Sequence, residues 1–496
     1  MNREEGNLEE YFRPYREKIV GIDATFESPY GRKKVVYADW TASGRLYNPI
    51  ERKLLEEFGP FVGNTHSETT ETGTRMTLAY HEAHRIIKEH VHAGPNDVII
   101  TAGSGMTAVV NKLQRILSLK GCSRMHVKEC FKLPDRPVVF ITHMEHHSNH
   151  TSWYETMADV VILPPTTDLL VNPEALRDEI RKYKDRPFKI GAFTACSNVT
   201  GIRPPYLELA RIMHENGGIV FIDFAASAPY DIIDMHPADP MEKLDAIYFS
   251  PHKFLGGPGS AGVLIFDRSL YHSEVPDQPG GGTVDWTNPW GSYKYVDDIE
   301  AREDGGTPGF LQAIRAALAI RLKEQMNPYI MARREKEITR LALDELRKVP
   351  GIKILADKVE ERLPIFSFYH PQIHFNLIVR LLNDRFGIQV RGGCACAGTY
   401  GHYLLEVSYE KSREITQLIN SGDLSKKPGW VRWSLHPTST NEEIMFFTDS
   451  LRAIIKNIDT WEKDYIYNPR KNEFYHVKQT ETQAEYLKNG TPFDFF

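Results

Sequence analysis

Cysteine is scarce in this chain. Cys122, Cys130, Cys196, Cys394 and Cys396 are the only five in 496 residues, too few for a disulfide framework, so each is judged as a thiol. No run of eighteen uninterrupted apolar residues occurs, so no membrane-spanning helix and no membrane partner are expected. An excess of one charge sign is also missing. Sixty basic residues against 66 acidic ones give a formal net charge of -6, so no bulk basic footprint argues for nucleic acid, and the expected partner is a small molecule. The opening MNREEGNLEEYF is acidic where a secretory or transit peptide is basic or apolar, which predicts a cytoplasmic protein. There is no internal repeat and no low-complexity tract.

What is present is 41% apolar content, enough for a substantial core. Short β-rich runs ending in small or polar residues alternate with stretches of helical period, the pattern of an α/β fold with a mostly parallel sheet between helices. Strands are expected at 35–39, 97–101, 138–142, 159–163, 189–193, 218–223, 245–249 and 261–266. The expected division is an N-terminal segment over 1–34 contributing to a small domain, a large domain over 35–309, a smaller α+β domain over 310–460 and a C-terminal extension over 461–496. A long helical pattern from Phe310 to Val349 opens the smaller domain, and the extension, polar and aromatic without clear period, reads as a wrapping or partly ordered tail. In such sheets ligands collect beyond the carboxyl ends of the strands, where His143 to Asn149, Asn198, Asp223 and Ser250 to Lys253 fall.

Lys253 in FSPHKFLGGPGSAG stands just past a buried strand and ahead of glycines, where a side chain can enter a cleft. Alone it reads as a surface loop lysine. Thirty residues earlier Asp223 ends the strand GIVFID, where a carboxylate can pair with a protonated pyridine nitrogen. An aspartate for the ring and a lysine for the aldehyde point to pyridoxal 5'-phosphate (PLP), although Asp223 alone could be a helix cap. TAGSGMTAVVNKL (101–113) is a strand, small residues and a helix start, which is either an anion site or an ordinary capped turn. THMEHHSNH (142–150) offers an imidazole to stack on a flat cofactor. His146 and His147 are adjacent and point apart, and no cysteine or carboxylate set completes a metal site, so no metal is expected.

Taken in order, YADWTASG, GSGMTAVVN, MEHHSN, CSNVTG, IDFAAS, FSPHK, GGTP, QVRGGCACA and VRWSL resemble the fold-type I PLP enzymes of the class V aminotransferase group, especially its cysteine desulfurase and selenocysteine lyase branch. The resemblance spans about Tyr37 to Leu451 and implies a large domain with a seven-stranded sheet beside a smaller α+β domain. It implies Lys253 as the Schiff-base lysine, Asp223 as the pyridine partner, His146 as the stacking ring and Asn198 beside the ring hydroxyl. Gly105, Met106, Thr107, Ser250 and His252 would hold the phosphate, and Thr307 would reach the phosphate of a neighbouring subunit in a homodimer. Arg391 and Arg432 would receive a substrate carboxylate, with His66 also at the substrate. Cys396 occupies the place of the persulfide-forming cysteine, and the alternative is that Cys394 and Cys396 are small residues packed in a turn.

The expected reaction is removal of sulfur from L-cysteine to give alanine through a persulfide, with a protein sulfur acceptor as a further partner. Departures bear on the substrate. Ala226 stands where desulfurases carry a glutamine near the ring hydroxyl, Gly393, Cys394 and Ala395 replace histidines before the active cysteine, and Ser67 replaces a basic residue after His66. These leave a carbon-sulfur or other β-lyase, an aminotransferase or an epimerase as alternatives, and a scaffold without catalysis as a lesser one.

Overall fold

The computed structural model describes residues 7–65, 68–120 and 135–478; His66, Ser67, Cys122 and Cys130 lie outside them. Seven of the eight expected strands form one sheet: β1 (Asp97–Ala102), β2 (Val138–Ile141), β3 (Asp159–Ile162), β4 (Lys189–Thr194), β5 (Ile219–Asp223), β6 (Ala246–Phe249) and β7 (Gly262–Asp267). Their order is β1-β7-β6-β5-β4-β2-β3. The block from β6 to β3 is parallel, and β7 is antiparallel to both β6 and β1. Because β1 and β6 both oppose β7, they run the same way, and the carboxyl ends of β1, β2, β4, β5 and β6 share one edge. The strands read as continuous apolar runs because helices cover both faces: every residue of β4 is buried.

The eighth expected strand lies elsewhere. Only Val36–Tyr37 is extended, and it pairs in parallel with Ile388–Gln389 beside a second sheet. The chain that follows is fixed there, since Ser434 donates its amide to the Ala38 carbonyl at 2.9 Å and Thr41 donates its own to Ser434 Oγ at 3.0 Å. This second sheet is antiparallel throughout, in the order Lys353–Ile354, Ile365–Tyr369, Trp430–Ser434, Arg391–Gly393. Its core includes Phe366, Phe368 and Trp433, the last stacked at 4.0 Å on Phe447 of helix Asn441–Trp461.

The long helical pattern after Phe310 is two helices, Phe310–Met326 and Pro328–Leu346. Asn327 between them adopts a left-handed φ of 59°, and Pro328, which has no N–H to give, starts the second helix. The first of these packs against helix Glu71–His90 in the core of the large sheet. Past Trp461 the chain forms an antiparallel hairpin, Tyr465–Asn468 with Glu473–His476, where the sequence reading expected no period. The alternation in YIYN and EFYH is only four residues long on each side, too short to stand out.

Candidate active site

The shared edge of the large sheet opens into a cavity of about 690 Å³, a size suited to a small ligand. Three turns descend into it from the strand ends. After β6 the chain makes a single tight turn over Pro251–Lys253, bringing Ser250, His252 and Lys253 to the cavity wall. That turn is clamped by the segment after Asp39: Gly44 donates its amide to the His252 carbonyl at 2.9 Å, and a Cβ on Gly44 would lie 1.9 Å from the Phe254 carbonyl oxygen. Only glycine permits this approach. After β1, helix Met106–Ile116 begins at the cavity with Gly105, which has no side chain to offer, at its N-cap. Met106 N–H donates to Ser250 Oγ at 2.8 Å, and a Cβ on Gly105 would sit 3.0 Å from the same oxygen. A helix start with serine and histidine beside it is a ready receptor for an anion.

At the end of β5, Asp223 is buried, and burial pushes its carboxyl up to about 6 although it accepts the Ala225 amide at 2.8 Å and faces the Lys253 charge. Enclosure of the Lys253 amine brings it down to about 8 against the pull of Asp223. For Asp223 the sign is definite. The unfolded carboxyl ionises near 3.8 and the folded one near 6, so the folded state keeps its proton longer, and stability falls as pH rises through that window by roughly 3 kcal/mol. Asp223→Asn removes this dependence. In melting curves of the ligand-free chains from about pH 4 to about pH 7, the variant is expected to gain steadily on the parent; parallel curves would mean that the burial carries no such penalty.

After β2, the four histidines separate. His146 alone among them lines the cavity, accepting the Ser148 amide at Nδ1 (3.1 Å) and kept neutral by burial and the Lys253 charge, which bring it to about 3. His143 Nε2 meets the Leu169 carbonyl, His147 Nε2 accepts the Gly398 amide at 2.9 Å and His150 Nδ1 meets Thr399 Oγ1. Behind them lies a residue the sequence reading passed over. Glu145 is fully buried, and burial raises it to about 8 while Thr142, Asn149 and the Thr194 amide donate to it. It ties the loops after β2 and β4 together. The residue pattern MEHHSN drew attention to its histidines and hid the acid just before them.

The second sheet supplies the opposite wall. Arg391 and Arg432 stand directly across from each other on neighbouring antiparallel strands, an unfavourable pairing of like charges, and both line the cavity. Arg432, 3% exposed, is compensated by Asp39 Oδ1 at 2.7 Å and by the Asn198 carbonyl at 3.2 Å. Arg391 has no hydrogen-bonding or ion-pair partner among the described residues. A carboxylate between the two would relieve the repulsion. Asp39 was also missed from sequence; its signal was an acidic residue closing a short strand.

The loop after Gly393 carries two cysteines and divides them. Ala395 and Cys396 both have left-handed φ values, 50° and 58°, an arrangement that strains residues other than glycine. Two contacts hold it: Asn198 Nδ2 donates to the Ala395 carbonyl at 2.7 Å and His147 N–H to the Cys396 carbonyl at 2.8 Å. The result is that Cys396 lines the same cavity as Lys253, whereas Cys394 lines a different one. Cys196 also reaches the first cavity, but burial raises its thiol to about 12, so it stays protonated. Gly105, Met106, Thr107, His146, Asn198, Asp223, Ser250, His252, Lys253, Arg391, Cys396 and Arg432 thus meet in one place. Thr307 is exposed and does not line the cavity of this single chain, and His66 is outside the described residues.

A family model described as aminotransferase class-V matches residues 36–447. The chain belongs to the class-V aminotransferase family. This family enzyme is 27% identical over 376 residues to a probable cysteine desulfurase of Staphylococcus epidermidis, covering 75% of this chain and 85% of the relative. It is likewise 27% identical over 402 residues to one of Staphylococcus aureus, covering 78% and 91%. Two solved structures share the fold. One is the cysteine desulfurase CsdA of Escherichia coli, with a TM-score of 0.69 at 21% identity over 91% of this chain and 99% of that one. The other is the cysteine desulfurase of Thermococcus onnurineus, with a TM-score of 0.68 at 22% identity over 85% and 95%. The large mixed sheet with its smaller companion is therefore the fold-type I architecture, and class-V membership implies PLP.

Proposed function

We propose that this class-V aminotransferase acts as a PLP-dependent cysteine desulfurase, taking sulfur from L-cysteine and releasing alanine. The observation that carries the reading is the placement of the Cys396 thiol in the cavity that also holds the Lys253 amine and the two facing arginines. The residues fit the cofactor. An enclosed amine, a buried carboxylate, a neutral imidazole and a helix start answer an aldehyde, a ring nitrogen, a ring face and a phosphate, and Asn198 Oδ1 is buried with no partner among the described residues.

Bound there, PLP supplies an electron sink for negative charge at the substrate α-carbon. Asp223 holds the proton on the ring nitrogen, its high pKa offset once a cationic partner is present. Arg391 and Arg432 orient the substrate carboxylate. Lys253, brought to about 8, is unprotonated in a useful fraction of molecules near neutrality and moves the α-proton. Cys396, as thiolate, attacks the substrate sulfur; the carbon–sulfur bond breaks, the carbon takes up a proton, and a persulfide remains on Cys396. Thr307, exposed on one chain, contributes to the phosphate of a second in a homodimer, and an acceptor from outside the chain takes the sulfur onward.

The test is to incubate the PLP-loaded chain with L-cysteine and a reductant and quantify alanine and sulfide together. Equal amounts support the reading. Pyruvate and ammonia in place of alanine would replace it with elimination, a reaction that the loss of a donor at Ala226 makes worth measuring. In the same assay Arg391→Ala is expected to raise KM about tenfold or more with a smaller change in kcat, because its contact is made equally in the ground and transition states.

A further inference from the structure

The loop that brings Cys396 to the first cavity brings Cys394 to a second, an open cleft of about 820 Å³ between helix Phe375–Leu381 and the hairpin past Trp461. Two residues apart on an extended strand, the cysteines would share a face; the consecutive left-handed residues Ala395 and Cys396 turn the chain so that they do not. The second cavity is cationic. Lys427 and Lys471 line it with no ion-pair partner among the described residues, Lys471 resting over the Tyr475 ring at 5.9 Å. Arg380 is beside them, held by Asp384 at 3.1 Å, and Glu473 is the one carboxylate in the lining, taken by the Tyr475 hydroxyl. The Lys427 charge acts on His147, whose amide holds the Cys396 carbonyl, so this positive field reaches the cysteine loop.

We infer that Cys394 is the exit residue for sulfur and that the second cavity receives a small thiol bearing carboxylates, which removes it. The inference rests on the desulfurase reading. Release of the strained left-handed turn at Ala395 and Cys396 lets the loop bring the two thiols together; the Cys394 thiolate then attacks the outer sulfur of the Cys396 persulfide, the bond from that sulfur to Cys396 Sγ breaks and Cys396 leaves as thiolate. The thiolate of the small molecule then attacks the same outer sulfur, departs as a persulfide and frees Cys394 as thiolate. Each step exchanges one sulfur–sulfur bond for another, so no oxidant is required. The volume is that of a small-molecule site, and the lysines answer the carboxylates.

The experiment loads the holoenzyme with one equivalent of L-cysteine, counts alanine per site, locates the sulfane sulfur by alkylation and tandem mass spectrometry, and then follows its discharge to 3-mercaptopropionate or 2-mercaptoethanol. The parent is expected to carry sulfur on both cysteines and to discharge faster to the anionic thiol. Cys394→Ser should form its alanine, hold sulfur on Cys396 alone and discharge slowly to both. Lys427→Ala and Lys471→Ala should each narrow the preference for the anionic thiol by up to about fivefold. Sulfur found only on Cys396 in the parent, or a Cys394→Ser chain that discharges at the parental rate, would overturn the exit route while leaving the desulfurase reading intact. Absence of alanine from the parent would overturn both.

Discussion

Lys253→Ala is expected to lower turnover of L-cysteine by at least about 10³-fold and to abolish the visible absorption of bound cofactor. The same atom is asked to hold PLP and to move the substrate proton, and none of the buried lysines among the described residues replaces it: Lys323 donates to the carbonyls of Ala228 and Asp231, Lys112 to that of Glu303 and Lys189 to that of Arg186. The loss should persist when PLP is supplied in excess, and the far-ultraviolet circular dichroism should match the parent, since the Pro251–Lys253 turn is kept by backbone contacts such as that from Gly44. An alanine variant with parental spectrum and rate would remove Lys253 from both roles.

The second large effect separates cofactor from sulfur chemistry. Cys396→Ser should retain the cofactor spectrum, because Asp223, His146 and the helix start at Met106 are untouched, and lose alanine formation by on the order of 10³-fold or more. The hydroxyl fits the same strained backbone, and a serine oxygen cannot stand in for a thiolate at neutral pH. Retained desulfuration would sink the nucleophile assignment and transfer attention to Cys394.

Most of the large sheet was readable because its strands are covered on both faces and appear as unbroken apolar runs, and the residues that gather at its edge follow those runs directly. Val36–Tyr37 misled because an apolar run closed by Asp39 resembles the others, while only two of its residues are extended and their partner lies some 350 residues away. The helix after Phe310 read as one because Asn327 and Pro328 interrupt the backbone without interrupting the apolar period. At the site, lysine, aspartate and arginine were legible by type and position. Asp39 and Glu145 were not, since each acts through another residue: Asp39 by steadying Arg432, and Glu145 by joining two loops beneath Asp223. Nor could spacing show that Cys394 and Cys396 face different cavities, which depends on two backbone angles.

Asn198 gives its side-chain amide to the loop of the thiol and its carbonyl to the guanidinium of Arg432. One residue therefore ties together Arg432, proposed to anchor a substrate's carboxylate, and the loop of Cys396, proposed to meet its sulfur. Under the proposed desulfuration such a site would work as a ruler: an amino acid longer by one methylene, anchored at the same arginines, would present its sulfur past the mark, so selection for chain length would follow from the scaffold and need no pocket wall to enforce it.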